Sequence, residues 1–268
     1  LARYLRAGEL TPVHVPTPEE EGDRAFVRYR QGLSADVTRM KNRVLKFLVA
    51  RGVCYTAGRS SFSQAHWRFL RRQEFPAKEG YAYRDLLVRL EYEDGRLREA
   101  DRHLVELAGS ERYRERVGML CCLRGIAAVG AMVLQAETID FRRFGKANEL
   151  MGFYGFGVCE ESSGRSRYQG KMTKTGNSNC RFVLIEAGWH YQRKPGVSEG
   201  LKARWEGQPA EVVAHAMRAQ ERLHGKFWRV VAATGCKQKA VVAVGRELSG
   251  FVWAIMTDHC GVPETGLA

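Results

Sequence analysis

The 268-residue sequence predicts a mainly α protein: a long helical hairpin, then a compact helical domain with a helix-hairpin-helix-like pair and a basic serine loop. Three observations predict this. Apolar residues recur at heptad spacing in two separate stretches, around 26–47 and 86–107. A turn-rich stretch of aromatics and arginines parts them. Beyond Gly109 and Ser110, apolar helical runs alternate with glycine-marked turns, and a hydrophobic share of 44% suffices for a real core.

Taken in order, residues 1–16 end in TPVHVP and read as an extended, proline-punctuated linker. A helix start follows. Thr17 suits the N-cap, Pro18 the first helical position, and Glu20 completes a capping box. Phe26, Leu33, Met40 and Phe47, interleaved with Val37 and Val44, continue that helix to about Gly52, roughly 50 Å at ~1.5 Å per residue. Residues 52–80 break the pattern and leave room for a short crossing helix near Gln64–Arg72. A second heptad run has Leu90, Leu97 and Leu104 in one register and Leu86, Ala100 and Leu107 in the other. Residues 17–108 thus read as an antiparallel hairpin or coiled coil; two ordinary bundle helices fit the pattern equally. Glu93 and Gly95 weaken the second helix, which leaves a place for a partner chain.

Residues 110–258 form the second expected domain. MLCCLRGIAAVGAMVLQAE is a helix, a tight turn and a helix. A DNA-binding hairpin would place another glycine two residues after Gly125, where this chain has Ala127, so a structural helix pair is the simpler reading. Phe141, Phe144 and Leu150 lead into the serine loop. Beyond it a helix opens, with Thr175, Asn177 or Ser178 as its cap. PGVSEGLKARWEGQPAE reads as a loop, followed by helices over Ala210–Leu223 and about Lys237–Met256, and residues 259–268 as a disordered tail.

Forty-three Lys and Arg against 30 Asp and Glu give +13, which favours a polyanionic partner such as nucleic acid; an inert basic surface is the bland alternative. Seven cysteines without a CxxC point to a reducing compartment, with Cys121 and Cys122 as small core residues. No Cys, His or carboxylate spacing matches a metal site. The longest apolar stretch, Ala240–Met256, is interrupted by Arg246 and Glu247 and so reads as a buried helix, not a membrane span. The opening LARYLRAGELTP carries no secretory signal. It lacks an initiator Met, so a fragment or a processed piece is expected.

CEESSGRSRYQGKMTKTGN, residues 159–177, is where chemistry is expected. Arg165, Arg167, Lys171, Lys174 and Arg181 would make an anionic phosphodiester approachable. The helix opening near Asn177 adds its backbone N–H groups and dipole, and Gly164, Gly170 and Gly176 permit close approach. No histidine lies in the loop and there is no GxSxG elbow, which argues against a Ser-His-Asp hydrolase. The chemistry alone leaves two readings open, a passive phosphate cradle and a serine nucleophile.

The run FRRFGKANELMGFYGFGVCEESSGRSRYQGKMTKTGNSNCRFVLIEA resembles the C-terminal domain of the insertion-sequence-110 family of bacterial transposases, which are RNA-guided recombinases, several using a bridge RNA. Glu160, Ser162, Ser163, Gly164, Gly170, Thr173, Lys174, Gly176, Asn177 and Arg181 fall in register; the family's proline is absent, with Gly157 and Val158 in its place. LARYLRAGELTPVHVP and VVAVGRELSGFVWAIM also resemble family members. The resemblance implies that Ser163 is the nucleophile joined to DNA, with Ser162 its structural neighbour. By charge and position, Arg165, Arg167, Lys171, Lys174, Asn177 and Arg181 are the expected nucleic-acid contacts. It also implies donor and target DNA, a guide RNA, a homo-oligomer, a bacterial cytoplasmic and nucleoid-associated setting, and Mg²⁺ for the full-length family member. Family members hold that metal with an Asp-Glu-Asp-Asp set placed before a segment like LARYLRAGEL. Asp23, Asp36 and Asp85 are poor substitutes, so the chain is not expected to complete strand exchange alone. A non-catalytic nucleic-acid-binding relic is the alternative.

Overall fold

The first long helix begins where its side chains satisfy the free N–H groups of its opening turn. The Glu20 N–H donates to Thr17 Oγ1 at 3.2 Å, and the Thr17 N–H donates to Glu20 Oε2 at 2.8 Å. This is the expected capping box. The computed structural model describes residues 2–9, 14–58, 61–160, 163 and 169–260. Their elements are α1 (Ala2–Arg6), α2 (Pro18–Val49), α3 (Gln64–Arg71), α4 (Ala77–Ala108), α5 (Arg114–Cys121), α6 (Ala128–Thr138) and α7 (Ala147–Phe153). A two-stranded ribbon, β1 (Val158–Glu160) and β2 (Gln169–Met172), follows. Then come α8 (Ser178–Gly188), a 3₁₀ turn (Trp189–Gln192), α9 (Glu199–Trp205), α10 (Ala210–Thr234) and α11 (Lys237–Met256). The protein is mainly α, as expected. Two compact units emerge: Arg28–His103, and Leu1–Val27 with Leu104–Ala268.

The Arg28–His103 unit is a helical hairpin. Arg30 meets Asp101 through two N–H···O contacts of 2.6 and 3.3 Å, while Arg51 meets Glu79 at 3.0 Å. Early residues of α2 therefore face late residues of α4, as an antiparallel pair requires. The core joins Val37, Met40, Val44 and Leu48 to Leu70 of α3 and to Tyr83, Leu87 and Leu90 of α4. The expected stripe drifts at its end, where Leu48 is buried and Phe47 only half-buried. A straight helix with 3.6 residues per turn slips by about 20° per heptad, which passes the buried position from one residue to the next. Ser63 caps α3, accepting from the His66 N–H, and Tyr83 Oη donates to the Leu70 carbonyl at 2.9 Å. Burial pushes the Tyr83 phenol up to about 12.

The other unit is built around α11, whose last six residues, Phe251–Met256, are all buried. A helix apolar on every side belongs in the middle. It crosses α8 closely because glycines stand at the contact. A Cβ on Gly188 would lie 3.0 Å from the Val241 carbonyl, and one on Gly245 would lie 3.2 Å from the Leu184 carbonyl. The pair α5–α6 packs on the same core, with Cys121 and Cys122 buried in it. Gly125 has φ +87°, and a Cβ there would strike the Ala187 carbonyl at 2.7 Å. The turn of the hairpin-like pair is thus pressed onto α8 as a packing element.

Several local expectations need correction. Ala2–Arg6 is a short helix where extended chain was expected. The 195–209 loop contains α9, capped by Ser198, whose side chain accepts from the Leu201 N–H. Helix α7 was not anticipated. Helix α10 runs on to Thr234 and stops at Gly235 in the left-handed conformation (φ +65°). Of the expected tail, Cys260 is buried and residues 261–268 lie outside the described residues. Among the described residues no helix is long and apolar enough to cross a membrane.

Two outcomes follow. Leu90 is fully buried, so Leu90→Ala should lower the hairpin's unfolding free energy by about 2–5 kcal/mol. Val88→Ala, at 63% exposed, should stay within about 0.5 kcal/mol; denaturant titration followed by circular dichroism reads both. Burial, helped by the nearby Arg218 charge, lowers the His215 imidazole from 6.5 to about 4. A depressed folded pKa contributes stability that is present above pH 6.5 and lost as pH falls through about 4. Melting scans across that window should fall less steeply for His215→Phe than for the wild type.

Candidate functional site

The site starts from a buried carboxylate. Glu137 lies in the apolar run of α6 and is 2% exposed. It accepts from Asn177 Nδ2 at 2.8 Å and from Asn179 Nδ2 at 2.7 Å. The other end of the Asn177 side chain, Oδ1, accepts the N–H groups of Asn179 (3.0 Å) and Cys180 (3.1 Å) and so caps α8. One side chain thereby ties α6 to the start of α8.

The segment leading into that cap, Thr173–Asn177, is strapped onto Phe153–Gly157. Asn177 N–H donates to the Phe153 carbonyl and Thr173 N–H to the Gly157 carbonyl, each at 2.8 Å. Arg181, half-buried, donates from Nη1 to the Tyr154 carbonyl at 2.8 Å. Two glycines make the approach possible. A Cβ on Gly176 (φ +145°) would sit 2.4 Å from the Phe153 carbonyl, and one on Gly155 (φ +75°) would sit 2.4 Å from Arg181 Nη1. Between them Lys174 is exposed with φ +55°. A left-handed lysine costs on the order of 1–2 kcal/mol and persists because the strap fixes the chain on both sides.

The strap is the base of the ribbon. Val158 pairs with Met172 and Glu160 with Gln169, so β2 spends three steps where β1 spends two, a bulge that sharpens the local twist. The ribbon's connecting segment is 161–168, the serine loop. Ser163 is exposed, three residues past the end of β1. Ser162, Gly164, Arg165 and Arg167 lie outside the described residues; Lys171 sits in β2. Of the expected contacts, Lys174 is thus turned to solvent, whereas Asn177 and Arg181 hold the strap together. The residues missed by sequence reasoning are Glu137, Asn179 and Gly155. A carboxylate inside the apolar run AMVLQAET was the available sign, since unpaired acids are almost never fully buried.

Beside the ribbon opens a groove of about 660 Å³, lined by Met151, Val158, Met172 and Val242 together with Lys239 and Arg246. Among the described residues no group of three His, Cys, Asp or Glu could hold a metal ion. Asp23 accepts from Tyr113 Oη, Asp36 pairs with Arg39 and Asp85 with Arg89. All three carboxylates are engaged elsewhere, so among the described residues they do not make up a divalent-cation site.

Asn177→Ala should lower stability by about 2–4 kcal/mol, since it removes an N-cap worth about 1 and leaves a buried carboxylate short of a donor. Ser178→Ala, one residue away and exposed, should change it by less than about 0.5 kcal/mol. Thermal melts of the two variants check the contrast.

Residues 118–202, which include both the strap and the serine loop, match the transposase family IS116/IS110/IS902. The chain is 32% identical over 261 residues to transposase y4qE of Sinorhizobium fredii, covering 96% of this chain and 63% of that protein. It is 32% identical over 234 residues to the transposase for insertion sequence element IS1533 of Leptospira borgpetersenii, covering 85% of this chain and 66% of that one. The chain therefore spans a little under two thirds of the length of these relatives. The motif residues and the strap they build thus lie in the stretch of the chain that is similar to the IS116/IS110/IS902 family of transposases.

Proposed function

We propose that the chain is the serine-bearing part of a DNA transposase, in which Ser163 attacks a DNA phosphodiester. The observation that carries this is an exposed serine on a ribbon whose base is fastened at Gly155, Gly176 and Asn177. A nucleophile must be presented to its phosphorus in one place, and an exposed serine next to a fastened base meets that need. In the step, Ser163 Oγ forms a bond to phosphorus and one bridging P–O bond of the DNA breaks. The serine proton passes to solvent or a base, and the departing DNA oxygen gains one. Positive charge lowers the barrier by meeting the charge that develops on the phosphoryl oxygens. Lys174, exposed and held in a strained conformation, is suited to this; Arg165, Arg167 and Lys171 would add to it. Arg181 and Asn177 act as positioning residues, since their polar atoms are spent on the Tyr154 carbonyl, on Glu137 and on the α8 cap.

The remaining parts of this reading come from the family resemblance. A guide RNA would select the DNA, copies of the chain would assemble with the hairpin contributing, and Mg²⁺ would be bound by carboxylates other than those described. One alternative is a nucleic-acid-binding piece without catalysis.

The experiment incubates the full chain with donor and target duplexes, guide RNA, Mg²⁺ and an acidic family domain supplied in trans, then looks for a denaturant-resistant protein–DNA adduct. Ser163→Ala should abolish the adduct while DNA binding stays within about 2-fold. Lys174→Ala should lower adduct formation by about 10-fold or more, with binding weakened far less. An adduct that survives Ser163→Ala places the nucleophile elsewhere. Wild-type binding without any adduct favours the non-catalytic alternative.

A further inference from the structure

The hairpin's charge is segregated. Residues 39–89 hold twelve Lys or Arg against three Asp or Glu, which is nine of the chain's thirteen excess positive charges in 51 residues. The rest of the same unit, 28–38 and 90–103, holds five against six. Because Arg51 meets Glu79 while Arg30 meets Asp101, residues 39–89 make up one end of the hairpin, the end closed by α3. A merely solvated surface has no reason to divide its charge this way, because clustering like charges costs self-repulsion.

These cations surround a small aromatic core. Phe47 packs on Phe75 and Tyr83, each at 5.3 Å between centroids, and Tyr83 bonds to Leu70. Lys46 is the chain neighbour of Phe47, Arg71 and Arg72 follow Leu70, Lys78 follows Phe75 by three, and Arg84 follows Tyr83. The core side chains point in and these point out: Lys46, Arg68, Arg72, Lys78 and Arg84 are all exposed. Among the described residues none of those five has an acidic partner, in contrast to Arg39, Arg51, Arg71 and Arg89. Along α2, Arg39, Arg43 and Lys46 recur at i, i+4 and i+7, a line of cations on one helix face.

We infer that this end of the hairpin is a sequence-independent docking surface for the phosphate backbone of duplex DNA, separate from the serine loop. It rests on the reading of the chain as a DNA transposase only for the choice of DNA as the occupant. Charge complementarity sets the class of partner, because a dense, unpaired cation cluster gains most from releasing counterions condensed on a polyanion. A duplex is favoured over a single strand. Single-strand binding relies on exposed aromatic platforms, whereas Phe47, Phe62, Phe69, Phe75 and Tyr83 are packed against one another and Tyr81 alone of this segment's aromatics stands largely exposed. Contacts to phosphates fix position, not sequence, which is the kind of contact that long exposed lysines and arginines make.

The test uses the full chain carrying Ser163→Ala, so that only reversible binding is read and the outcome does not depend on the nucleophile. Fluorescence anisotropy with a 30-base-pair duplex of arbitrary sequence is followed across a salt series. Reversing Lys46, Arg68, Arg72 and Lys78 to Glu should weaken binding about 100-fold or more, and should reduce the slope of log K against log salt by about 3 to 4. If the reversed variant does not fold, as judged by its melting curve, the four Gln substitutions should still reduce the slope by that amount. A slope unchanged in the variant overturns the proposal. Tighter binding of an RNA duplex or a single strand of equal length overturns the choice of occupant.

Discussion

The serine loop depends on a carboxylate that never sees solvent. Glu137 is unusual because an acid in the interior is costly unless donors surround it. Here Asn177 and Asn179 meet both of its oxygens. Satisfying Glu137 therefore fixes the first turn of α8, and α8 in turn packs on α11 through Gly188 and Gly245. Loss of that carboxylate or its amides would loosen a helix and the strap that precedes it together. The polar network specifies one arrangement where an apolar contact of the same size would tolerate several.

This division of labour explains the order of residues in the TKTGN stretch. Gly176 is there for space, since no other residue fits against the Phe153 carbonyl. Asn177 is there for its two-ended side chain, which donates to Glu137 while accepting from the α8 backbone. Lys174 is the member left facing outward. Three residues of one short motif thus do three different things, and only one is free to meet an anion. A basic residue count over the loop and the helix after it overstates the charge turned to solvent, because Arg181 is turned into the scaffold.

Much of the fold was legible because its rules are local. Thr17, Pro18 and Glu20 marked a helix start that both hydrogen bonds of the capping box realise. The break in the heptads over 52–80, with its aromatics and arginines, marked a short helix near Gln64–Arg72, and α3 matches it almost to the residue. What escaped was short or set by tertiary contact. Helix α9 has seven residues and one buried side chain, Leu201, too little for periodicity to register against Gly200 and the Pro195–Gly196 pair before it. Helix α7 has no side-chain cap and is held by Ala147 and Leu150 against the core. Asn177 was among the expected caps of α8, but its tie to Glu137 and the role of Arg181 escaped for a related reason. Charge and spacing tell which residues could touch a phosphate, but not which are already bonded to a carbonyl or a buried acid 40 residues earlier.

The two concentrations of positive charge solve different problems. In the reaction proposed for Ser163, positive charge beside it would have to lie within a few ångströms of one phosphorus, sparse and rigidly placed; a crowd of mobile lysines would bind the ground state as well as the transition state and gain little rate. Charge at the hairpin end need not meet any particular atom, so it can be abundant, long-armed and tolerant of position. A chain that spread its excess evenly would do neither well. The glycine-clamped strap and the charge-segregated hairpin are thus complementary. Under the two proposals, the hairpin end would supply non-specific attraction without chemistry, and the ribbon would supply chemistry with little attraction of its own.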